Sequence, residues 1–147
     1  MKRIDNPLHT DFSEVKGSCA LEAIAYMFQL DVAGTLYLTK LAQLRTLDDG
    51  PTTAEIRKMI RILTILNKKT FTYTRNMKLS LTQFIKLHRK GHFILNFDDH
   101  VCSYKNGLVI DGWYTSSWDE NLDGWWEIKK KMPIKKKMPF EVSLLVA

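Results

Sequence analysis

A cysteine at the head of an apolar helix pattern, a histidine opening a strand pattern and an aspartate closing the return strand are the residues of this chain whose types and spacing combine into one chemistry. Cys19 follows Gly17-Ser18 and begins the run Cys19-Ala20-Leu21-Glu22-Ala23-Ile24-Ala25-Tyr26-Met27-Phe28, dense in helix formers and apolar nearly all round. A thiol attacks well only as its thiolate, and free cysteine is mostly protonated at neutral pH. The first turn of a helix favours the anion, because its N–H groups lack intrahelical acceptors and the helix dipole is positive there. Ser18 is placed to cap this helix, and the small residues before Cys19 leave the backbone open to a substrate.

A thiol nucleophile needs a base. His100 heads a strand pattern that runs to Tyr104, and Asn106-Gly107 is a strong signal for a two-residue hairpin turn. With that turn, Lys105 faces Leu108, Tyr104 faces Val109 and Cys102 faces Asp111. Side chains alternate along a strand, so His100, Cys102 and Tyr104 share a face with Val109, Asp111 and Trp113. His100 and Asp111 are then diagonal neighbours, about 7–8 Å apart between backbones. A carboxylate there fixes the imidazole tautomer and stabilises the imidazolium that forms when it takes the thiol proton. Trp113, in the same register, is placed to shield the pair from water.

The other reactive residue types have plainer readings. Cys102 sits mid-strand and reads as packing. His9 lies in an irregular segment, His88 on a basic amphipathic helix, and His92 at a strand start. Asp98 and Asp99 point apart if they lie on a strand, so they do not build a metal site with His100. Trp113, Trp118, Trp125 and Trp126 read as core and sheet cover. No metal and no cofactor are expected.

The elements that must position these residues follow from periodicity. Helices are expected over 19–28, 35–47, 52–66 (capped by Thr52 or Thr53) and 81–90 (capped by Ser80 and closed by Gly91). Strands are expected over 71–74, 92–97, 100–104, 108–111 and 140–146. Helices first and strands second imply an α+β fold, with the Cys19 helix central and packed on a C-terminal antiparallel sheet. The whole chain, 1–147, reads as one domain, with an irregular N-terminal segment over 1–17 and a basic segment over 129–139.

Composition narrows the class. Hydrophobic residues at 45% and charged residues at 26% fit a globular core. No apolar run reaches membrane-span length, and the stretch MKRIDNPLHTDF lacks the apolar region of a secretion signal, so a cytoplasmic location is expected. Two cysteines cannot build a disulfide framework. The net charge of +6 is matched by the six lysines of 129–139 alone. That run reads as a solvated, pairing-resistant edge, since no recognition-helix pattern or aromatic interleaving accompanies it. Nucleic acid is therefore not the expected partner.

The order of Cys19, His100 and Asp111 resembles papain-like and transglutaminase-like folds, including the bacteriocin-processing double-glycine peptidases. Ser18-Cys19-Ala20-Leu21-Glu22-Ala23-Ile24-Ala25, Gly91-His92-Phe93-Ile94-Leu95, His100-Val101 and Asn106-Gly107-Leu108-Val109-Ile110-Asp111-Gly112-Trp113 together are more closely similar to small papain-like proteins encoded by bacteriophages. The resemblance covers residues 15–118. It implies a papain-like fold, a cysteine hydrolase (protease, isopeptidase or amidase) with Cys19, His100 and Asp111 as its triad, and a protein or peptide substrate, with a host protein as one target. Papain-like enzymes usually place a Gln shortly before the nucleophile to stabilise the oxyanion. No Gln precedes Cys19 here, and Asn6 is the side-chain amide available in its place, with Ser18 and the Cys19 backbone beside it. Removing one oxyanion donor typically costs about 10²–10³ in rate. Two other readings stay open at this point. One is a catalytically silent papain-like scaffold that binds a host protein; the other is a nucleic-acid-associated protein using the 129–137 lysines.

Overall fold

The computed structural model describes residues 2–15, 18–44, 50–98, 100–112 and 120–130. Among them the order is β1 (Lys2–Ile4), a 3-10 turn (Thr10–Phe12), α1 (Cys19–Phe28), α2 (Val32–Leu41), α3 (Thr53–Leu66), β2 (Lys69–Arg75), α4 (Leu81–Leu87), β3 (His92–Asn96), β4 (Val101–Lys105), β5 (Leu108–Ile110) and β6 (Gly124–Lys130). The fold is α+β, with four α-helices and one six-stranded mixed sheet among the described residues, the strands in the order β1-β5-β4-β3-β6-β2. No single helix among the described residues is long and apolar enough to cross a membrane.

The sheet is mixed, which corrects the antiparallel expectation. The added strand, β1, comes from the segment read as irregular, and it lies parallel to β5 with Lys2↔Leu108, Arg3↔Val109 and Ile4↔Ile110. A three-residue strand paired across the chain's length carries no local signal. Phe12, in the 3-10 turn, is buried and seals the same segment onto the core. The second correction is β6, which takes up Trp125 and Trp126 as an inner strand between β3 and β2.

The sheet separates two cores. Strand alternation sends Ile94, Val101, Trp126 and Ile128 towards α1, α2 and α3. Phe93, Leu95, Cys102, Tyr104, Val109 and Trp125 go to the other face, against Leu81 and Phe84 of α4. Strands covered on both faces read as continuous apolar runs, as in Phe93-Ile94-Leu95. The Oγ of Ser103 donates to the Ala23 carbonyl (2.8 Å) and ties β4 to the middle of α1.

Helix ends are set by side chains. Thr52 and Glu55 form a reciprocal capping box that starts α3, and Ile56, Met59, Ile60 and Leu63 form its buried stripe. Ser80 and Gln83 start α4 in the same way. That helix stops at Leu87, and Gly91 (φ +112°) opens β3 instead of closing the helix. A Cβ at Gly91 would lie 2.7 Å from the Phe93 ring. The second helix begins at Val32, earlier than periodicity suggests, because the Asp31 carboxylate accepts from the Gly34 N–H (2.7 Å). The expected strand over 140–146, Trp113, Trp118, Asp99 and the basic run from Lys131 lie outside the described residues.

Candidate active site

Cys19 is the first residue of α1 and is half-buried. Ser18 makes no capping hydrogen bond to the backbone. Its hydroxyl donates to Glu22 Oε2 (2.6 Å), one turn further along. The expected cap is thereby diverted, and the amides of the first turn are left without a side-chain acceptor at the place where the sulfur emerges.

His100 closes a tight turn after β3, with the Phe97 N–H donating to its carbonyl (2.7 Å). Its Nε2 lies 2.6 Å from Asp111 Oδ2, and Asp111 is 2% exposed. The hairpin register is Ser103↔Ile110, Tyr104↔Val109 and Lys105↔Leu108, with Asn106 (φ +49°) and Gly107 (φ +88°) in the turn. That is the register expected from a two-residue loop. His100 and Asp111 lie just beyond the ends of the paired segment, where their side chains meet. The Asp111 backbone is held from β1: its N–H donates to the Ile4 carbonyl (3.1 Å), and Arg3 Nη2 donates to its carbonyl (3.1 Å).

With Nε2 committed to Asp111, Nδ1 is the ring nitrogen left for Cys19, whose side chain lies near enough to raise the His100 pKa. Burial draws the imidazole pKa down, but the hydrogen bonds and charges of Asp111 and Cys19 outweigh it and hold the ring up at about 9. Cys102 has the opposite environment. It is 2% exposed, and burial first, then the charges of Asp111 and Cys19, push its thiol well above the ordinary value against a smaller pull from Arg3.

A cleft of about 420 Å³ opens beside this group. Ser18, Cys19 and Ala20 form one wall, the cap residue Thr52 with Thr53 and Ile56 of α3 another, and Asn96, Asp98 and His100 line it from the sheet ends. Asn96 is 6% exposed, and its Nδ2 donates to Thr53 Oγ1 at 3.3 Å, a long and therefore weak bond.

Asn6 has no place in this cleft. Its Nδ2 donates to the Glu22 carbonyl (3.1 Å) and its Oδ1 accepts from the Leu8 N–H (2.9 Å), so it ties the N-terminal segment to α1. Asn96 is the buried side-chain amide that the cleft contains, and nothing in its strand pattern marks it apart from being polar at an otherwise apolar position. Trp113 lies outside the described residues. A second histidine–carboxylate pair escaped the sequence reading: His9 Nδ1 sits 2.7 Å from Glu22 Oε1, the carboxylate that also holds Ser18. The signal for it was Glu22 itself, a charge in a helix otherwise buried all round. Gly112 packs on this pair, and a Cβ there would lie 2.5 Å from Glu22 Oε1 and 2.6 Å from His9 Nδ1.

Comparison with protein-family models, curated proteins and solved structures found no match. The site therefore speaks through its geometry. Among the described residues, no group of three or more His, Cys, Asp or Glu side chains gathers as a metal site.

Proposed function

We propose that this chain is a small cysteine hydrolase of papain-like arrangement, acting on an amide, isopeptide or side-chain amide bond of a protein or peptide. The observation that carries the reading is the chain of contacts Asp111–His100–Cys19 at the wall of a cleft. An imidazolium beside a thiol favours the nucleophilic thiolate. The Cys19 sulfur attacks the carbonyl carbon, and the carbonyl π electrons move to oxygen. The first-turn amides of α1 and the Asn96 carboxamide are placed to hold that oxyanion. His100 gives its proton to the leaving nitrogen as the C–N bond breaks, leaving an acyl thioester and a neutral imidazole. The imidazole then takes a proton from water, hydroxide adds to the thioester, and collapse releases the acid and the thiolate. His100 is again protonated.

Asp111 acts through His100 and is a positioning residue: it keeps Nδ1 towards sulfur and stabilises the charged ring. Asn96 is the amide this reading assigns to the oxyanion in place of an upstream Gln, on the ground that it lines the cleft with Cys19 and makes only a long bond to Thr53.

Two reagents test the reading together. Iodoacetamide on the native chain is expected to label Cys19 well ahead of Cys102, with His100→Ala suppressing that labelling. Equal, slow labelling of both thiols would sink the triad. p-Nitrophenyl acetate is expected to leave an acetyl group on Cys19, read by mass spectrometry and absent in Cys19→Ser. Asn96→Ala is expected to slow that acylation by about 10²–10³ and leave alkylation unchanged, since alkyl substitution forms no oxyanion. Loss of both rates together would remove Asn96 from the oxyanion role.

A further inference from the structure

A second cleft, of about 580 Å³, lies at the far end of α1 from Cys19, about 15 Å away by helical rise. Its volume is in the range of small-ligand sites, and its walls differ in character. The sheet wall is basic, its charge carried by two lysines. His92 and Lys105 are cross-strand partners of β3 and β4, and Lys69 begins β2 with its Nζ 5.8 Å from the centre of the Phe28 ring. Leu8, Phe28 and Leu30 supply the apolar part of the lining.

Asp31 is the acidic residue on the lining, and its Oδ1 already accepts from the Gly34 N–H to start α2. None of Lys69, His92 and Lys105 has an ion-pair partner among the described residues. Burial, then Lys105 and Lys69, hold the His92 ring below its ordinary pKa, so the two lysines carry the charge of this wall and His92 offers a neutral ring between them. Basic and apolar residues lining one cleft match a molecule with a single anionic head on an apolar body.

We propose that this cleft binds a small amphipathic anion, with its head between Lys69, His92 and Lys105 and its body against Leu8, Phe28 and Leu30. The inference is independent of the hydrolase reading, since no residue of this cleft belongs to the Cys19 site. A carboxylate and a phosphate monoester satisfy the same cationic wall, and the experiment separates them.

The probe is 1-anilinonaphthalene-8-sulfonate, titrated by fluorescence into the full chain. Saturable one-to-one binding is expected, weakened about tenfold or more in Lys69→Glu and in Lys105→Glu. Lys58→Glu on the exposed face of α3 should bind as the native chain does. Octanoate and octyl phosphate compete, their relative strength naming the preferred head, whereas octanol does not. Circular dichroism checks the fold, and the gentler pair Lys69→Met and Lys105→Met replaces any charge reversal that fails to fold. Non-saturable binding, binding that survives all four lysine variants, or equal weakening by Lys58→Glu would overturn the proposal.

Discussion

Burial alone would strip the proton from His100, so the charge it keeps depends on what the ring touches. Asp111 and Cys19 supply that charge, and they set a pH dependence with a definite sign. The folded pKa, about 9, stands above the ordinary 6.5. The stabilisation from the charged ring is therefore present in full below pH 6.5 and is lost as pH rises to about 9. Unfolding free energy measured in urea is expected to fall across that window, and the fall should vanish in His100→Gln. Hydrolysis is expected to share the limit, with an alkaline limb near 9, because His100 must carry a proton to the leaving group. Asp111→Asn removes the largest of the raising influences, so both the imidazole titration by NMR and the alkaline limb should move down towards the ordinary value. A ring that titrates unchanged in Asp111→Asn would show that the 2.6 Å contact does not govern its proton.

The elements that hold the pair differ in how plainly the sequence announces them. Asn106-Gly107 signals a turn in which both residues take positive φ, and that fixes the pairing of β4 with β5. His100 precedes β4 and lines the cleft beside Cys19 and Ile56, whereas strand alternation would carry it to the α4 face with Cys102 and Tyr104, so the period is lost at the turn before Val101. The Cys19 helix and the box-capped α3 are announced by composition and by Thr52 and Glu55. What stayed hidden depends on partners far along the chain. Lys2–Ile4 becomes a strand only because β5 is there to pair with it, and Asn96 becomes a cleft residue only because α3 packs opposite. β6 was masked because Trp125 and Trp126 bury on opposite faces, which removes the polar–apolar alternation of a half-exposed strand. Two substitutions test this layer. Gly107→Val forces a β-branched residue to φ +88° and is expected to cost about 1–3 kcal/mol in urea unfolding. Gly112→Ala drives a methyl into the His9–Glu22 pair beside Asp111, with an expected loss of about 1–3 kcal/mol and slower labelling of Cys19. Labelling at the native rate in Gly112→Ala would show that the Glu22 network does not position the N-terminus of α1.

Across the whole molecule, the two thiols report on different states of the chain. Cys19 stands at a cleft wall and reacts from the native state, whereas Cys102 is sealed in the core between the sheet and α4. Reagent reaches Cys102 only when that layer opens, and the pattern of sharing says how much must open with it. β3, β4 and β6 each place residues in both cores, Ile94 beside Leu95, Val101 beside Cys102 and Trp126 beside Trp125. Lifting α4 therefore uncovers strands whose other faces hold α1 and α3, and partial opening exposes apolar surface without freeing the backbone of either layer. We expect one cooperative transition. In pulsed alkylation across a urea series, Cys102 labelling should rise with the same midpoint as the loss of helical circular dichroism. In water it should lag Cys19 by three or more decades, the factor set by a folding free energy of about 5 kcal/mol or more. A Cys102 midpoint well below that of the helical signal would instead show that α4 and its face of the sheet open as a separate unit, with the Cys19–His100–Asp111 group still assembled on the other side.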